Sequence, residues 1–556
     1  MNTKLIKTLI GVLIFSFLGE GLFSNQKEKT LTVVHTNDLH SHFLGFSPNL
    51  EYTPQTVGDD ETLGGWARIA AVISEIKKNR ANPVLVCDAG DFLMGSLFHL
   101  LTRERAFELQ LLKAMDYDIL TLGNHEFDLK PSGLARILET ASDLNRCPPI
   151  VLSNLIFSPE SAEDDSLENL CELGMIQPYR ILVKEGMRIG VFGLLGKSAA
   201  EVAPFADPVG FADPLETARK MVRILRDKEQ VEVVICLSHS GLWADSKKSE
   251  DERLAREVEG IDIIVSGHTH TLLEEPMAVD GTLIVQAGAY GKNVGVLDVK
   301  MDEGRVLLDS YESIEIDDRI LGEEKISELI QGFEREVSDT LFPDTDLKFR
   351  KIIGHSNFDL SIMEDESPLG NLVADSIRWS INRRDHEPGD PASRVAVGIM
   401  SNGLIRDAIK KGKTGELAFC DIFRAVPLGI GLDGSVGYPL ITVYLFGSEI
   451  KKALEVLTSI YPIKGSDFFL QISGIKFTYN PNRMIFDRVL DVWIENENGD
   501  YVPLKTSRSN KSLYRVGADF YNASFLKYVG DFTMQILKII PKDRNGQPIE
   551  DLKTAL

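Results

Sequence analysis

Residues Leu31 to Phe43 read LTVVHTNDLHSHF. A short run of β-branched and aliphatic residues gives way at once to Asn37, Asp38, His40 and His42. This is the pattern of a buried strand that hands polar side chains to the loop at its carboxyl end. The same change recurs along the chain: PVLVC leads into DAGD at Asp91, ILTL into GNHEFD at Asn124–Asp128, VEVVICL into SHSG at His239, and IDIIVS into GHTH at His268 and His270. Arg188–Leu194 and Thr282–Val285 are further strand candidates, and Ala67–Lys78 and Leu215–Arg226 are amphipathic at helical spacing. Strand–helix alternation of this kind predicts an α/β fold whose sheets are covered on both faces.

In α/β sheets, ligand sites form outside the carboxyl ends of the strands. The strand ends therefore bring Asp38, His40, Asp91, Asn124, His239, His268 and His270 toward one crevice. The donors are all nitrogen and oxygen, with no thiolate. Such a set suits Zn²⁺, Mn²⁺, Co²⁺ or Fe rather than a cysteine-bound structural zinc. It is too large for one tetrahedral ion and about right for two divalent ions bridged by a carboxylate. Two ions ~3.5–4 Å apart clamp a phosphoryl group and bring the pKa of a coordinated water to ~7. Hydrolysis of a phosphate ester needs that help, because a charged nucleophile must approach a charged phosphorus. A single GxHxH or DxH is weak evidence; the joint occurrence at successive strand ends carries the reading. The remaining histidines (His35, His42, His99, His355, His386) complete no ligand set and read as structural or exposed.

Working outward, residues 321–341 place Ile326, Leu329, Ile330, Phe333, Val337 and Leu341 on one helical face. We take 321–344 as a linker helix. Beyond it the texture changes. Leu369, Leu372, Val373 and Ile377 fit one helix, and Ile475–Tyr479 alternates as a strand before Asn480-Pro481-Asn482. The expected organisation is a metal-binding domain over 25–320 and a second α+β domain over 345–556.

The chain has 556 residues and a net charge of −23. A surface this acidic repels a nucleic-acid polymer, but small phosphorylated substrates remain compatible if bound cations supply local positive charge. Five cysteines without a CxxC exclude a disulfide scaffold. Cys87 and Cys236 lie in strand-like runs and read as buried thiols, whereas Cys147 and Cys171 share a loop-rich region and could pair. Lys4 and Lys7 precede an uncharged apolar run, Thr8–Gly19. That run is long enough for a signal-peptide core and short of the ~20 residues that span a bilayer. A signal peptide over 1–24 implies export to the periplasm, the cell surface or the medium, with no stable membrane span after cleavage. An uncleaved N-terminal anchor is the alternative.

Taken together, Asp38-x-His40, Gly90-Asp91, Gly123-Asn124-His125-Glu126, His239 and Gly267-His268-x-His270 resemble the calcineurin-like metallophosphoesterase signature. The strings TNDLHSHF, LGNHEFD and SGHTH resemble the bacterial 5′-nucleotidase and 2′,3′-cyclic-nucleotide phosphodiesterase family in particular. The resemblance implies a four-layer α/β/β/α sandwich followed by a substrate-binding 5′-nucleotidase C-terminal domain. It assigns Asp38, His40 and His270 to one metal, Asn124, His239 and His268 to the other, and Asp91 to both. It also makes His125 and Asp128 the catalytic dyad. The implied activity is release of phosphate from nucleotides. Cyclic-nucleotide phosphodiesterase, UDP-sugar hydrolase and sulfur-ester hydrolase activities are alternatives on the same metal site, and a metal-binding surface protein without turnover is the non-enzymatic one.

In the second domain SPLGNL (367–372), SNGLIR (401–406) and SGIKFTY (473–479) match the family, which implies that Arg406, assisted by Asn402, grips the substrate. The family pattern is also broken there. Ser401 and Leu404 stand where Asn and Gly are usual, and Met363 where an arginine is common. Pro427-Leu428-Gly429-Ile430 and Gly530-Asp531-Phe532 replace the motifs that carry the base-stacking rings, with Asp433–Tyr438 inserted after the first. Stacking is worth ~1–3 kcal/mol per base, so these departures bear on the substrate and not on the metal site.

Overall fold

The computed structural model describes residues 29–46, 48–429, 431, 437–523 and 537–549. The signal-peptide segment, the Gly530-Asp531-Phe532 string and most of the Asp433–Tyr438 insertion lie outside the described residues.

Two sheets stack face to face. The first runs in the order Arg305–Glu315, Asn293–Asp302, Thr30–Thr36, Val84–Asp88, Ile119–Leu120, Ile150–Val151, Ile176–Gln177. The second runs Met277–Val279, Thr282–Val285, Ile263–Ser266, Val233–His239, Met187–Leu195, Tyr179–Lys184. The central strands of each are parallel, so their carboxyl ends leave on one side.

The strand period of two sorts the side chains into layers. Leu31, Val33, Leu85 and Cys87 meet Ile189, Val191, Val233 and Ile235 between the sheets. Val34 and Val86 face the helices outside the first sheet. Val234 and Cys236 face helices Pro214–Arg223 and Glu250–Glu257 outside the second. Helix, sheet, sheet, helix is the four-layer order that the family resemblance implies. His35 fits inside its strand because Gly295 stands opposite it. A Cβ at Gly295 would lie 2.0 Å from the imidazole Nε2, and burial drives His35 down to about 3, so it stays neutral.

Helix Glu324–Leu341 buries Ile326, Ile330, Phe333 and Val337 in the outer core of the first sheet; Phe333 stacks on Phe107 with ring centroids 4.2 Å apart. The stripe read as a connector thus packs on the first sheet. The C-terminal part has a four-stranded sheet (Leu440–Phe446, Leu513–Asp519, Val395–Ser401, Leu470–Ser473) and helices Pro368–Asp385 and Gly447–Lys464. A buried polar cluster joins it to the first part. Arg424 reaches Asp407 and Asp421, both at 3.2 Å, while the Asn49 backbone N–H donates to Asp421 at 2.9 Å and His42 lies 3.6 Å from Asp407.

The proposed Cys147–Cys171 pairing is not formed; both thiols are free, Cys147 bonding instead to the carbonyl of Pro148. Nearness in sequence texture says nothing about the Cβ vectors a disulfide requires.

One buried ion group holds a surface loop to the sandwich. Arg68, inaccessible to solvent, donates to Asp60 at 2.7 Å, Asp318 at 3.0 Å and the Thr62 carbonyl at 3.1 Å. Removing one partner of such a group strands the other charges. Arg68→Met should therefore cost about 3–5 kcal/mol, read as a lowered melting temperature; an unchanged melting temperature would mean the carboxylates rehydrate freely.

Candidate metal centre

The crevice is built from loops that leave the carboxyl ends of five parallel strands. After Thr30–Thr36 the backbone turns through positive φ at Asp38 (51°) and His40 (49°), and the same left-handed geometry recurs at Asp91 (57°), His268 (71°) and His270 (54°). Such conformations cost side-chain-bearing residues of order 1–3 kcal/mol each and cluster at functional sites. The loops are cross-tied: Asp38 N–H donates to Gly90 O, His40 N–H to Asp91 O and Tyr290 N–H to Asp38 O, at 2.9, 2.9 and 2.7 Å.

All seven residues read as ligands converge. His40 Nε2 and His270 Nε2 are 3.1 Å apart, and His270 Nε2 lies 3.5 Å from Asp38 Oδ1. His239 Nε2 lies 3.1 Å from Asp91 Oδ2, and His268 Nδ1 3.1 Å from Asn124 Oδ1. Asp38, His40 and His270 form one group whose ligand atoms lie within 4.8 Å of one another, and Asp38, Asp91 and His239 form a second. Asp38 thus joins both groups, whereas Asp91, the bridge expected from the resemblance, falls in the second.

The donor set fits divalent cations. Two imidazole nitrogens face each other at 3.1 Å, a spacing at which both can ligate one ion. His239 donates Nδ1–H to Ala89 O at 2.8 Å, which leaves Nε2 directed at the carboxylates. Burial holds His268 and His270 down at about 3, so both are neutral and able to ligate. Burial pushes Asp38 up to about 7, with Asp91 adding to the rise and His239 opposing it. For His239, burial is outweighed by the Asp91 and Asp38 carboxylates, which lift it to about 10. The rises at Asp38 and His239 reflect carboxylates crowded in a buried place, whereas the falls at His268 and His270 reflect burial and positive neighbours.

His125 stands at the edge of this group. Its Nδ1 is 2.7 Å from Asp128 Oδ2, and its ring centre is 5.3 Å from that of His40. Its backbone N–H donates to Asp91 Oδ1 at 2.8 Å. With Nδ1 engaged, Nε2 is left for the cleft, which both His125 and Asp128 line. Burial opposes protonation of His125, but Asp128 and Asp91 reverse it and the pKa is raised.

Across the cleft, Arg406 faces the same space as Asp91, His125, His268 and His270, and its charge disfavours protonation of His40, His125, His268 and His270. Asn402 lines the same cleft. Its amide donates to Met363 O at 2.9 Å and accepts from Gln471 at 2.7 Å, so each end has one partner inside the second domain. The Ser401 and Leu404 departures leave no trace in that arrangement that explains it.

Residues missed in the sequence include Tyr290 and Ser198. Tyr290 sits between the halves, its ring 5.3 Å from His270 and its hydroxyl 3.3 Å from Arg406 O. Ser198 Oγ lies 3.3 Å from His268 Nε2. Only the Ala-Tyr-Gly turn after Thr282–Val285, at one more strand end, could have pointed to Tyr290; nothing in the sequence singles out Ser198. Tyr438 stacks on Tyr521, centroids 5.4 Å apart, and lies 6.1 Å from Phe205. Among the described residues no helix is long and apolar enough to cross a membrane.

A family model described as calcineurin-like phosphoesterase matches residues 31–272. A second, described as 5′-nucleotidase, C-terminal domain, matches residues 352–521. The chain is 29% identical over 518 residues to the trifunctional nucleotide phosphoesterase protein YfkN of Bacillus subtilis (strain 168); the match covers 88% of this chain and spans only 31% of that relative's length. It is 27% identical over 554 residues to the snake venom 5′-nucleotidase of Gloydius brevicauda, covering 92% of this chain and 87% of that one. Among solved structures it is similar to a 5′-nucleotidase precursor from Thermus thermophilus, with a TM-score of 0.69 and 28% identity over 93% of this chain and 94% of that chain. With a calcineurin-like phosphoesterase domain followed by a 5′-nucleotidase C-terminal domain, the chain belongs to the two-domain 5′-nucleotidase-like family of metallophosphoesterases, which are phosphoric ester hydrolases.

Proposed function

We propose that this protein is an exported phosphohydrolase that binds two divalent ions and releases phosphate from small nucleotides. The single observation that carries the reading is the convergence of Asp38, His40, Asp91, Asn124, His239, His268 and His270 beside the His125–Asp128 pair. Asp38, His40 and His270 would hold one ion and Asn124, His239 and His268 the other, with Asp91 common to both. Bound there, the ions supply Lewis acidity to the phosphoryl group and to the attacking water. In this division of labour residues 25–320 carry the chemistry, 321–344 link, and 345–556 bind substrate; residues 1–24 direct export.

The rest of the chemistry belongs to the chain. His125, held by Asp128 and favoured in its protonated form, donates from Nε2 to a phosphoryl or leaving-group oxygen. Asp128 keeps the imidazole in that orientation and stabilises its charge. Arg406 offers a planar fork to the substrate from the second domain, while Asn402 keeps the loop that carries it in shape through Met363 and Gln471. Names among the relatives, a nucleotide phosphoesterase and 5′-nucleotidases, support a nucleotide substrate. The departures at Met363, Ser401 and Leu404 favour testing cyclic nucleotides and nucleotide-sugars beside monophosphates.

Phosphate release should be measured for residues 25–556 with AMP and p-nitrophenyl phosphate, and with UDP-glucose and 2′,3′-cAMP each followed by phosphatase, all with Mn²⁺ or after chelation. Chelator-sensitive turnover led by AMP is expected. Turnover that survives chelation and Asp91→Ala would sink the metal reading. A second expectation concerns pH. His125 has a raised pKa in the folded chain, and removing the Asp128 charge lowers it again. Asp128→Asn should therefore move the alkaline limb of the kcat profile to lower pH and reduce kcat by ~10²–10⁴; an unmoved limb would make the pair structural.

A further inference from the structure

Glu126 has no evident task in the sequence, yet its carboxylate is fully buried beside the metal centre. Its oxygens collect three backbone donors. Oε2 accepts the N–H of Asp91 at 2.9 Å and of Gly123 at 2.5 Å, and Oε1 accepts the N–H of Leu93 at 2.9 Å. The donors come from two different strand ends, the loop after Val84–Asp88 and the loop after Ile119–Leu120, whose strands are parallel neighbours. One side chain therefore ties the loop that carries Asp91 to the turn that carries Asn124 and His125. The tie is doubled where His125 N–H donates to Asp91 Oδ1 at 2.8 Å. There is no room for slack: a Cβ on Gly123 would lie 2.2 Å from Asp91 Oδ1.

Other ligand loops also rest on buried carboxylates, with a chemical difference. Glu108 accepts the Ser41 hydroxyl at 2.7 Å, next to His40. Asp251 accepts the Ser238 and Ser266 hydroxyls at 2.6 and 2.5 Å, flanking His239 and His268, and the Gly241 N–H at 3.1 Å. A hydroxyl can rotate and become an acceptor; a backbone N–H cannot. Three fixed donors on two oxygens accept nothing but a carboxylate.

We propose that Glu126 is a positioning residue of the metal centre: it fixes the distance between Asp91 and the Asn124–His125 turn, so that the shared carboxylate, the second-ion ligand and the catalytic imidazole keep one register. The proposal rests on the reading of Asp91 and Asn124 as metal ligands.

The test uses the chain from residue 25 onward, with Mn²⁺ binding isotherms and the visible absorption spectrum of the Co²⁺-loaded protein as readouts. Glu126→Gln must set an NH₂ against at least one backbone N–H. It should fold but bind Mn²⁺ about 10- to 100-fold more weakly and show a changed Co²⁺ spectrum. Glu126→Asp keeps the charge and withdraws it by one methylene; a smaller loss of the same kind is expected, and this variant decides if Glu126→Gln does not fold. Asp251→Asn, whose hydroxyl partners can turn, should keep the wild-type spectrum. A lowered melting temperature with wild-type Mn²⁺ affinity and Co²⁺ spectrum in the Glu126 variants would overturn the proposal and leave the metal centre standing. If the unaltered protein takes up neither ion, the ligand reading falls and this inference falls with it.

Discussion

Two carboxylates, Asp38 and Asp91, are sealed from water within a cluster of imidazoles, and the architecture around them follows from that constraint. Asp38 is inaccessible and Asp91 is 1% exposed. Buried negative charge is tolerated when it is paired or coordinates a metal. His239, lying between the two, is the side chain that partly answers them. His40, His268 and His270 are kept neutral by burial, with Arg406 pressing the same way. A group that raises one carboxylate, depresses three imidazoles and strains five ligand backbones is arranged for cations.

The fold supplies that arrangement through its strand order. Parallel strands in two stacked sheets send their carboxyl ends to one edge, so residues more than two hundred positions apart in the chain meet there. His268 N–H donates to Asp38 at 3.0 Å, and Asn37 holds Asp38 at 2.7 Å while also bonding to Gly288 O. These ties cross from one sheet to the other. They stabilise the left-handed turns that the ligand side chains would otherwise disfavour. The second domain closes the space from above with Arg406, anchored through the Arg424–Asp407–Asp421 cluster and Tyr290.

Much of this was legible in the sequence, for identifiable reasons. Strand runs such as VEVVICL and IDIIV are buried on both faces, so their apolar continuity is strong, and a polar break at each end marks the site. The predicted strands Leu31–His35 and Val231–Leu237 appear as Thr30–Thr36 and Val233–His239. What was not legible depends on tertiary neighbours. Asn402 lies in a string that matches the family, but Gln471 and the Met363 carbonyl claim its amide. Cys147 and Cys171 share a region and not a geometry. His42 read as partnerless because Asp407, its partner, comes from the other domain. Glu126 sat in plain view within GNHEFD, but its donors are backbone groups, which no residue pattern reveals.

The central claim is that two ions share this crevice, and anomalous diffraction from crystals grown with Mn²⁺ tests it most directly. Two peaks ~3.5–4 Å apart are expected, both against Asp91, one beside His40 and His270 and the other beside Asn124, His239 and His268. A single peak there, or Mn²⁺ held instead by the acidic group Asp59, Asp60 and Asp318, would contradict it.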